Sequence, residues 1–258
     1  MAANTARLPV IDLGRMEYAA AYAVQQEHHA EVLALRETPE AGEAPGRILL
    51  VEHDPPVITV SQRKDARQHL LATPEMLAGQ GVTVAETDRG GDITYHGPGQ
   101  LVVYPIIDLN AHRLRLHDYM RLLEDAVIDA LAEFGVRAER DVGATGVWVR
   151  PMSEVGSGKV EVQEDKAKPA AKICAMGVRV RRWVSLHGLA LNVTTNLEHF
   201  KLIVPCGLAG RPVTSLRELL GARCPEMERV KQVLAAALSS RLAAARAEKA
   251  ELAADERG

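Results

Sequence analysis

A chain of 258 residues, 47% hydrophobic and 25% charged, can bury a substantial core and has the balance of an ordinary globular protein. A net charge of −3 gives no reason to expect nucleic acid or an anionic membrane as the main partner, and 3% aromatic residues leave little for stacking bases. Spanning a bilayer takes about 20 consecutive apolar residues, and no run approaches that.

The N-terminus has neither a signal-peptide core nor an arginine-rich transit pattern, so a cytoplasmic protein is expected. Three cysteines, Cys174, Cys206 and Cys224, are too few and too oddly spaced for a disulfide framework, and no CxxC pair suggests zinc. Reduced thiols and no metal are the expectation. One catalytic domain over 1–258 is expected.

In chain order, Ile11 to Leu13 predicts a short strand and Met16 to Leu35 an amphipathic helix, followed by a polar loop from Glu37 to Gly46. Arg47 to Val51 and Val57 to Val60 read as strands on either side of His53-Asp54-Pro55-Pro56, where the double proline forbids helix. His53 is either a turn residue with a satisfied hydrogen bond or a binding residue. Pro74 to Gly79 predicts one helical turn and Val82 to Glu86 a strand.

The stretch RGGDITYHGPGQLVVYPIIDL, Arg89 to Leu109, is the densest cluster of special residues. Its glycines, Gly90, Gly91, Gly97 and Gly99, permit dihedrals and close approaches denied to other residues, and Leu101 to Leu109 reads as a buried strand. A P-loop ending is missing, and so is the strand-to-helix context of a dinucleotide site. The glycines either make a hairpin or shape a ligand-facing loop with Arg89, Tyr95, His96 and Gln100.

Leu116 to Phe134 carries apolar residues at helical spacing, with Gly135 as its stop, and the stripe, which includes Met120, reads as core packing only. Val142 to Val149 reads as a strand. Ser153 to Ala170, charged and poor in large apolar residues, reads as a mobile surface insertion. Ser215 and Glu218 form a capping-box pattern before a short helix, and Cys224-Pro225 opens a longer one whose tail, about 246–258, is expected to fray.

The stretch from Lys172 to Gly207 organises the rest. Ile173 to Val180 and Ser185 to Val193 form a plausible hairpin, and simple alternation puts Lys172, Cys174, Met176 and Val178 on one face, with Ile173, Ala175 and Arg179 on the other. Lys172 would then sit at the mouth of an apolar groove, where a desolvated ammonium needs an anionic or thiol partner. Cys206, between Pro205 and Gly207, is suited to a tight turn that presents a thiol. A nearby lysine would favour its thiolate. A lone cysteine is also a common small buried hydrophobe, and a lysine at a strand end a common surface residue, so spacing alone leaves both readings open.

Four motifs in order, RGGDITYHGPGQLVVYP, KICAMGVRV, HGLALNV and PCGL, resemble the octanoyl-[acyl-carrier-protein]:protein octanoyltransferases, or lipoyl(octanoyl) transferases, over roughly Leu8 to Leu220. The resemblance implies an α/β (α+β) fold of the biotin and lipoate protein ligase type, a mixed β-sheet with helices packed around it. It implies Cys206 as the acyl-thioester nucleophile and Lys172 as the residue that lowers its pKa. Arg89, Gly90, Gly91, Asp92, Ile93, Thr94, Tyr95 and His96 would line the acyl and carrier site, joined by Ala175, Met176 and Gly177 and by Gly188, Leu189 and Ala190.

The implied donor is octanoyl-acyl carrier protein. The implied acceptors are lipoyl domains of 2-oxoacid dehydrogenase E2 subunits and the glycine cleavage H protein, with no cofactor and no ATP. Two departures stand out: Cys174 adds a second thiol two residues from Lys172, and the insertion at Ser153 to Ala170 is longer than the family pattern leads one to expect. An ATP-using ligase on the same fold, a hydrolase pairing His96 or His187 with Cys206, and a module that merely holds an acyl chain remain as alternatives.

Overall fold

The computed structural model describes residues 8–36, 46–150, 152–155, 161–164, 169–204 and 210–255. The elements, in order, are β1 (Val10–Met16), α1 (Tyr18–Ala34), β2 (Gly46–His53), β3 (Val57–Ser61), α2 (Pro74–Gly79), β4 (Thr83–Thr87), β5 (Ile93–His96), β6 (Gln100–Ile107) and α3 (Leu116–Ala132). There follow β7 (Glu139–Arg140), β8 (Val147–Val149), β9 (Met152–Val155), β10 (Glu161–Glu164), β11 (Ala171–Arg181), β12 (Val184–Asn192), α4 (Leu216–Leu220) and α5 (Met227–Asp255). Among the described residues no helix is long and apolar enough to cross a membrane.

The main sheet runs β1-β2-β6-β12-β11-β8-β7, and a smaller one runs β4-β3-β5. Both are mixed: β1 with β2 and β3 with β4 are parallel, whereas the remaining pairs are antiparallel. Helices pack around the main sheet, as expected. On one face α3 and α5 close a core that includes Leu123, Val127, Leu131, Leu234 and Leu238, and on the other α1 covers Leu49, Val102, Ile106 and Leu186. Each fully buried leucine contributes roughly 1.5–3 kcal/mol, which makes the apolar stripe of α3 a principal support of the sheet. Arg241 clamps α5 to α3 through a two-pronged pair with Asp129, at 2.6 and 2.8 Å.

Several expectations change in detail. The buried face of α1 is Tyr18, Ala21, Gln25, His29 and Val32, a stripe at helical spacing that is polar in its middle. The 93–107 stretch is no hairpin, because β5 belongs to the small sheet and β6 to the large one, and the HGPG corner carries the chain between them. There Gly97 and Gly99 are structural: a Cβ on Gly97 would lie 2.0 Å from the Tyr95 hydroxyl, and Gly99, at φ +79°, packs against Thr194.

Residues 142–146 form no strand, and only Val147–Val149 does. Within the 153–170 segment, β9 and β10 pair antiparallel, while 156–160 and 165–168 lie outside the described residues. The last helix continues to Asp255.

The hairpin of β11 and β12 was legible, but its turn was not. Arg182 and Trp183 both adopt positive φ, 52° and 66°, a two-residue turn that usually calls for Asn and Gly. Neighbouring groups hold it: Arg36 donates to the Arg182 carbonyl at 2.7 Å and the Leu109 amide to the Trp183 carbonyl at 2.8 Å. Further along β12, a Cβ on Gly188 would lie 2.2 Å from the Val103 carbonyl oxygen and 2.7 Å from Pro105. Gly188→Ala is therefore expected to lower stability by about 1–3 kcal/mol in urea denaturation. An unchanged midpoint would mean that β6 does not press on β12 in this way.

Candidate active site

A cavity of about 420 Å3 runs beside β11 and β12, within the size range of about 300–1,000 Å3 typical of small-molecule sites. Lys172, Ala175, Met176 and Gly177 line it from β11, and Gly188, Leu189 and Ala190 from β12. Arg89, Gly90, Gly91, Thr94 and His96 reach it from the glycine-rich stretch. The other residues of that stretch do not. Along β5, Thr94 and His96 face the cavity, whereas Ile93 and Tyr95 are buried in the small sheet's core, as side-chain alternation requires. Asp92 instead pairs with His69 at 2.5 Å.

Lys172 is held on several sides. Its amide donates to the Pro212 carbonyl and its carbonyl accepts from the Thr214 amide, both at 2.9 Å, so the chain at 212–214 runs as a short parallel bridge beside it. Its Nζ donates to the Thr145 carbonyl at 3.0 Å and lies 4.6 Å from the centre of the Trp148 ring. The Arg211 guanidinium also lies over that ring, at 3.6 Å, and pairs with Asp141 at 2.6 Å. An ammonium over an aromatic face gains roughly 0.5–2 kcal/mol, depending on its exposure to water. Gly146 makes room for this arrangement: at φ +120°, a Cβ there would lie 2.5 Å from the Cys174 carbonyl oxygen and 3.4 Å from Lys172 Cε.

Strict alternation fails in β11. Its register against β8 slips between Lys172 and Cys174, a bulge that sends both Ile173 and Cys174 into the core and leaves Lys172 and Ala175 on the cavity. Cys174 is fully buried, and burial pushes its thiol up to about 12 despite the Lys172 charge nearby. It is an inert core residue. Cys206, with Pro205, Gly207 and Leu208, lies outside the described residues. The chain reaches that stretch from Val204, whose amide donates to the His69 carbonyl at 2.8 Å, and emerges beside Lys172.

Arg89 lines the cavity and is also a brace. Its guanidinium donates to both the carbonyl and the hydroxyl of Thr59, each at 2.9 Å, and to the Gly90 carbonyl at 3.0 Å. The Gly90 amide donates to Val178, and the Gly90 carbonyl sits where a Cβ on Gly177 would be, at 2.5 Å. The RGG turn thus clips the small sheet onto β11, and both glycines are needed for that approach.

Beside the cavity, His96 and Gln100, both marked in the sequence, join Asn192, which was not, in a polar network. Asn192 donates to the Thr214 carbonyl, so its oxygen accepts from Gln100 Nε2, and the Gln100 oxygen accepts from His96 Nδ1 at 2.7 Å. The chain of amides fixes the His96 tautomer, with Nε2 unprotonated, and burial keeps the ring neutral, its pKa well below the usual 6.5. His53 is similarly set: Nδ1 donates to the Met16 carbonyl and Nε2 accepts from the Tyr104 hydroxyl at 2.6 Å. Burial pushes its pKa down to about 4.

His187 sits within β12 at φ +60°, its amide turned to Gln25 and its Nε2 2.8 Å from Asp88. It faces Val178, six residues along β11 from Lys172, or about 20 Å of strand. Neither Tyr18 nor Tyr104 carried a signal as a cavity residue, since each reads as one aromatic in an apolar pattern. Leu116 and Met120 also line the cavity, so the α3 stripe is more than core packing.

The chain matches the family model described as the lipoyl protein ligase A/B catalytic domain over residues 17–239. It is 42% identical to an octanoyltransferase of Geobacter metallireducens over 214 residues, 83% of this chain and 84% of that one. The chain belongs to the octanoyltransferases of this family. A Chloroflexus aggregans octanoyltransferase is 43% identical over 232 residues, 90% of this chain and 93% of its own.

Solved structures agree on the fold that the family implies. The bipartite lipoate protein ligase of Thermoplasma acidophilum, solved with its E2 lipoyl domain, superposes with a TM-score of 0.63 at 15% identity, covering 92% of this chain and 84% of that one. A lipoate-protein ligase A bound with ATP gives 0.59 at 16% identity, covering 92% and 86%.

The buried histidines carry a pH signature. A histidine whose folded pKa lies below its unfolded value adds stability that is present above about 6.5 and lost as pH falls toward 4. For His53 the upper bound is about 3 kcal/mol. Stability measured from pH 7 to pH 4 should fall more steeply in the native protein than in His53→Gln, and parallel curves would contradict the buried neutral imidazole.

Proposed function

We propose that the protein transfers an octanoyl group from octanoyl-acyl carrier protein to the ε-amino group of a lysine in a lipoyl domain, through a thioester on Cys206. The observation that carries this reading is Lys172: an ammonium lining a ligand-sized cavity in an octanoyltransferase family member, its backbone bonded to the chain that leads away from Cys206.

The Cys206 thiolate attacks the carrier thioester, a new sulfur–carbon bond forms, and the pantetheine thiolate departs with a proton from Lys172. The acceptor lysine, arriving as the neutral amine, then attacks the octanoyl-enzyme. Its nitrogen–carbon bond forms as the Cys206 sulfur leaves, and its surplus proton returns to Lys172. The first step exchanges one thioester for another and the second spends that thioester on the amide bond, so ATP is not consumed. Met176, Leu189, Ala190 and Val102 give the alkyl chain an apolar lining, worth about 0.8 kcal/mol per buried methylene. Acceptors in this reading are the lipoyl domains of 2-oxoacid dehydrogenase E2 subunits and the glycine cleavage H protein, in the cytoplasm.

Lys172→Ala is expected to move the pH midpoint of Cys206 alkylation upward toward the free-thiol value of about 8.5, and to slow transfer at neutral pH at least a hundredfold. Transfer by the wild type should proceed without ATP. A strict ATP requirement that survives Cys206→Ala would replace this mechanism with that of a ligase, and an unchanged alkylation profile would remove Lys172 from its role.

A further inference from the structure

The cavity's charge is one-sided. In a chain with more acidic than basic residues, none of the described side chains lining the cavity is a carboxylate, whereas Arg63, Arg89 and Lys172 all reach it. Two of these cations are engaged within the protein: Arg89 braces Thr59 and Gly90, and Lys172 is bonded to Thr145. Arg63 differs. It is exposed at the cavity's rim, next to exposed Lys64, and among the described residues neither side chain has a carboxylate within 4.0 Å.

The neighbouring charges are paired elsewhere, Arg67 with Glu86 at 2.8 Å and Asp65 with Gln68 at 3.3 Å. The backbone beneath Arg63 is nonetheless fixed, since its amide donates to the Ser61 hydroxyl at 3.3 Å and its carbonyl accepts from the Ala66 amide at 3.1 Å. A positive head group on a short, bonded turn at the entrance is the arrangement that favours an anionic ligand.

We infer that Arg63 is a specificity-determining residue that binds the phosphate ester of a phosphopantetheine thioester donor at the cavity's rim while the thioester itself reaches Lys172. The inference rests on the carrier-thioester reading of the donor. The pantetheine arm separates its phosphate from its sulfur by a long chain, so the cation that meets the phosphate must be one at the entrance, away from the ammonium at the reacting carbonyl. Of the three cations, Arg63 is the exposed one, with a planar fork suited to two phosphate oxygens.

The test compares two small donors that differ only in the phosphate, octanoyl-phosphopantetheine and octanoyl-pantetheine, with a lipoyl domain as acceptor. Arg63→Glu should raise KM for the phosphorylated donor about tenfold or more with little change in kcat, and Arg63→Lys, which keeps the charge but not the fork, should restore part of the loss. KM for the phosphate-free donor should stay within about twofold of the wild type, against that tenfold change. Added salt should erode the wild type's preference for the phosphorylated donor. Equal effects on both donors would show that Arg63 only shapes the entrance, and no effect on either would put the phosphate elsewhere; each overturns the inference and leaves the transfer reading standing. A wild type that transfers from neither donor would sink that reading and this inference together.

Discussion

A carbonyl, a ring and a strip of neighbouring backbone all hold Lys172, and these contacts shape the site. The Thr145 carbonyl and the Trp148 ring hold its head group at the cavity wall. The bridge to 212–214 holds its main chain. A lysine that is both buried in part and charged costs desolvation free energy, and an oriented carbonyl and an aromatic face offset part of that cost.

The bulge at Ile173 serves the same end. Without the slip in register, Lys172 and Cys174 would share a face and the Cys174 thiol would lie beside the ammonium. With it, Cys174 is part of the core and its thiol is far too weak an acid to react at neutral pH. The RGG turn adds the opposite wall, with Gly90 and Gly177 in backbone contact that no side chain would permit. The polar network of His96, Gln100 and Asn192 stiffens the cavity wall and ends on Thr214, whose amide donates to the Lys172 carbonyl.

Much of this was legible in the sequence for identifiable reasons. Local signals placed the helices and most strands: α2 begins and ends where Pro74 and Gly79 suggested, α3 ends before Gly135, and Ser215 accepts from the Glu218 amide as its pattern implied. Motif order pointed to the family and to most of the residues lining the cavity. What could not be read depends on contacts distant in sequence. The 89–109 stretch gives no sign that its two strands enter different sheets. Asp92, Ile93 and Tyr95 lie inside the motif yet face away from the cavity, a consequence of pleating around a corner. Tyr18, Tyr104, Arg63 and Gly146 sit in ordinary local patterns, and only the fold brings them to the site.

The central claim is that the acyl group passes through Cys206 under the influence of Lys172. Intact-mass measurement of the protein after incubation with octanoyl-acyl carrier protein, in the absence of any acceptor, tests it most directly. The account predicts a single adduct of octanoyl mass that maps to Cys206, disappears on adding a lipoyl domain and is absent in Cys206→Ser. Transfer to the lipoyl domain with no such adduct, or an adduct on another residue that turns over in its place, would contradict it.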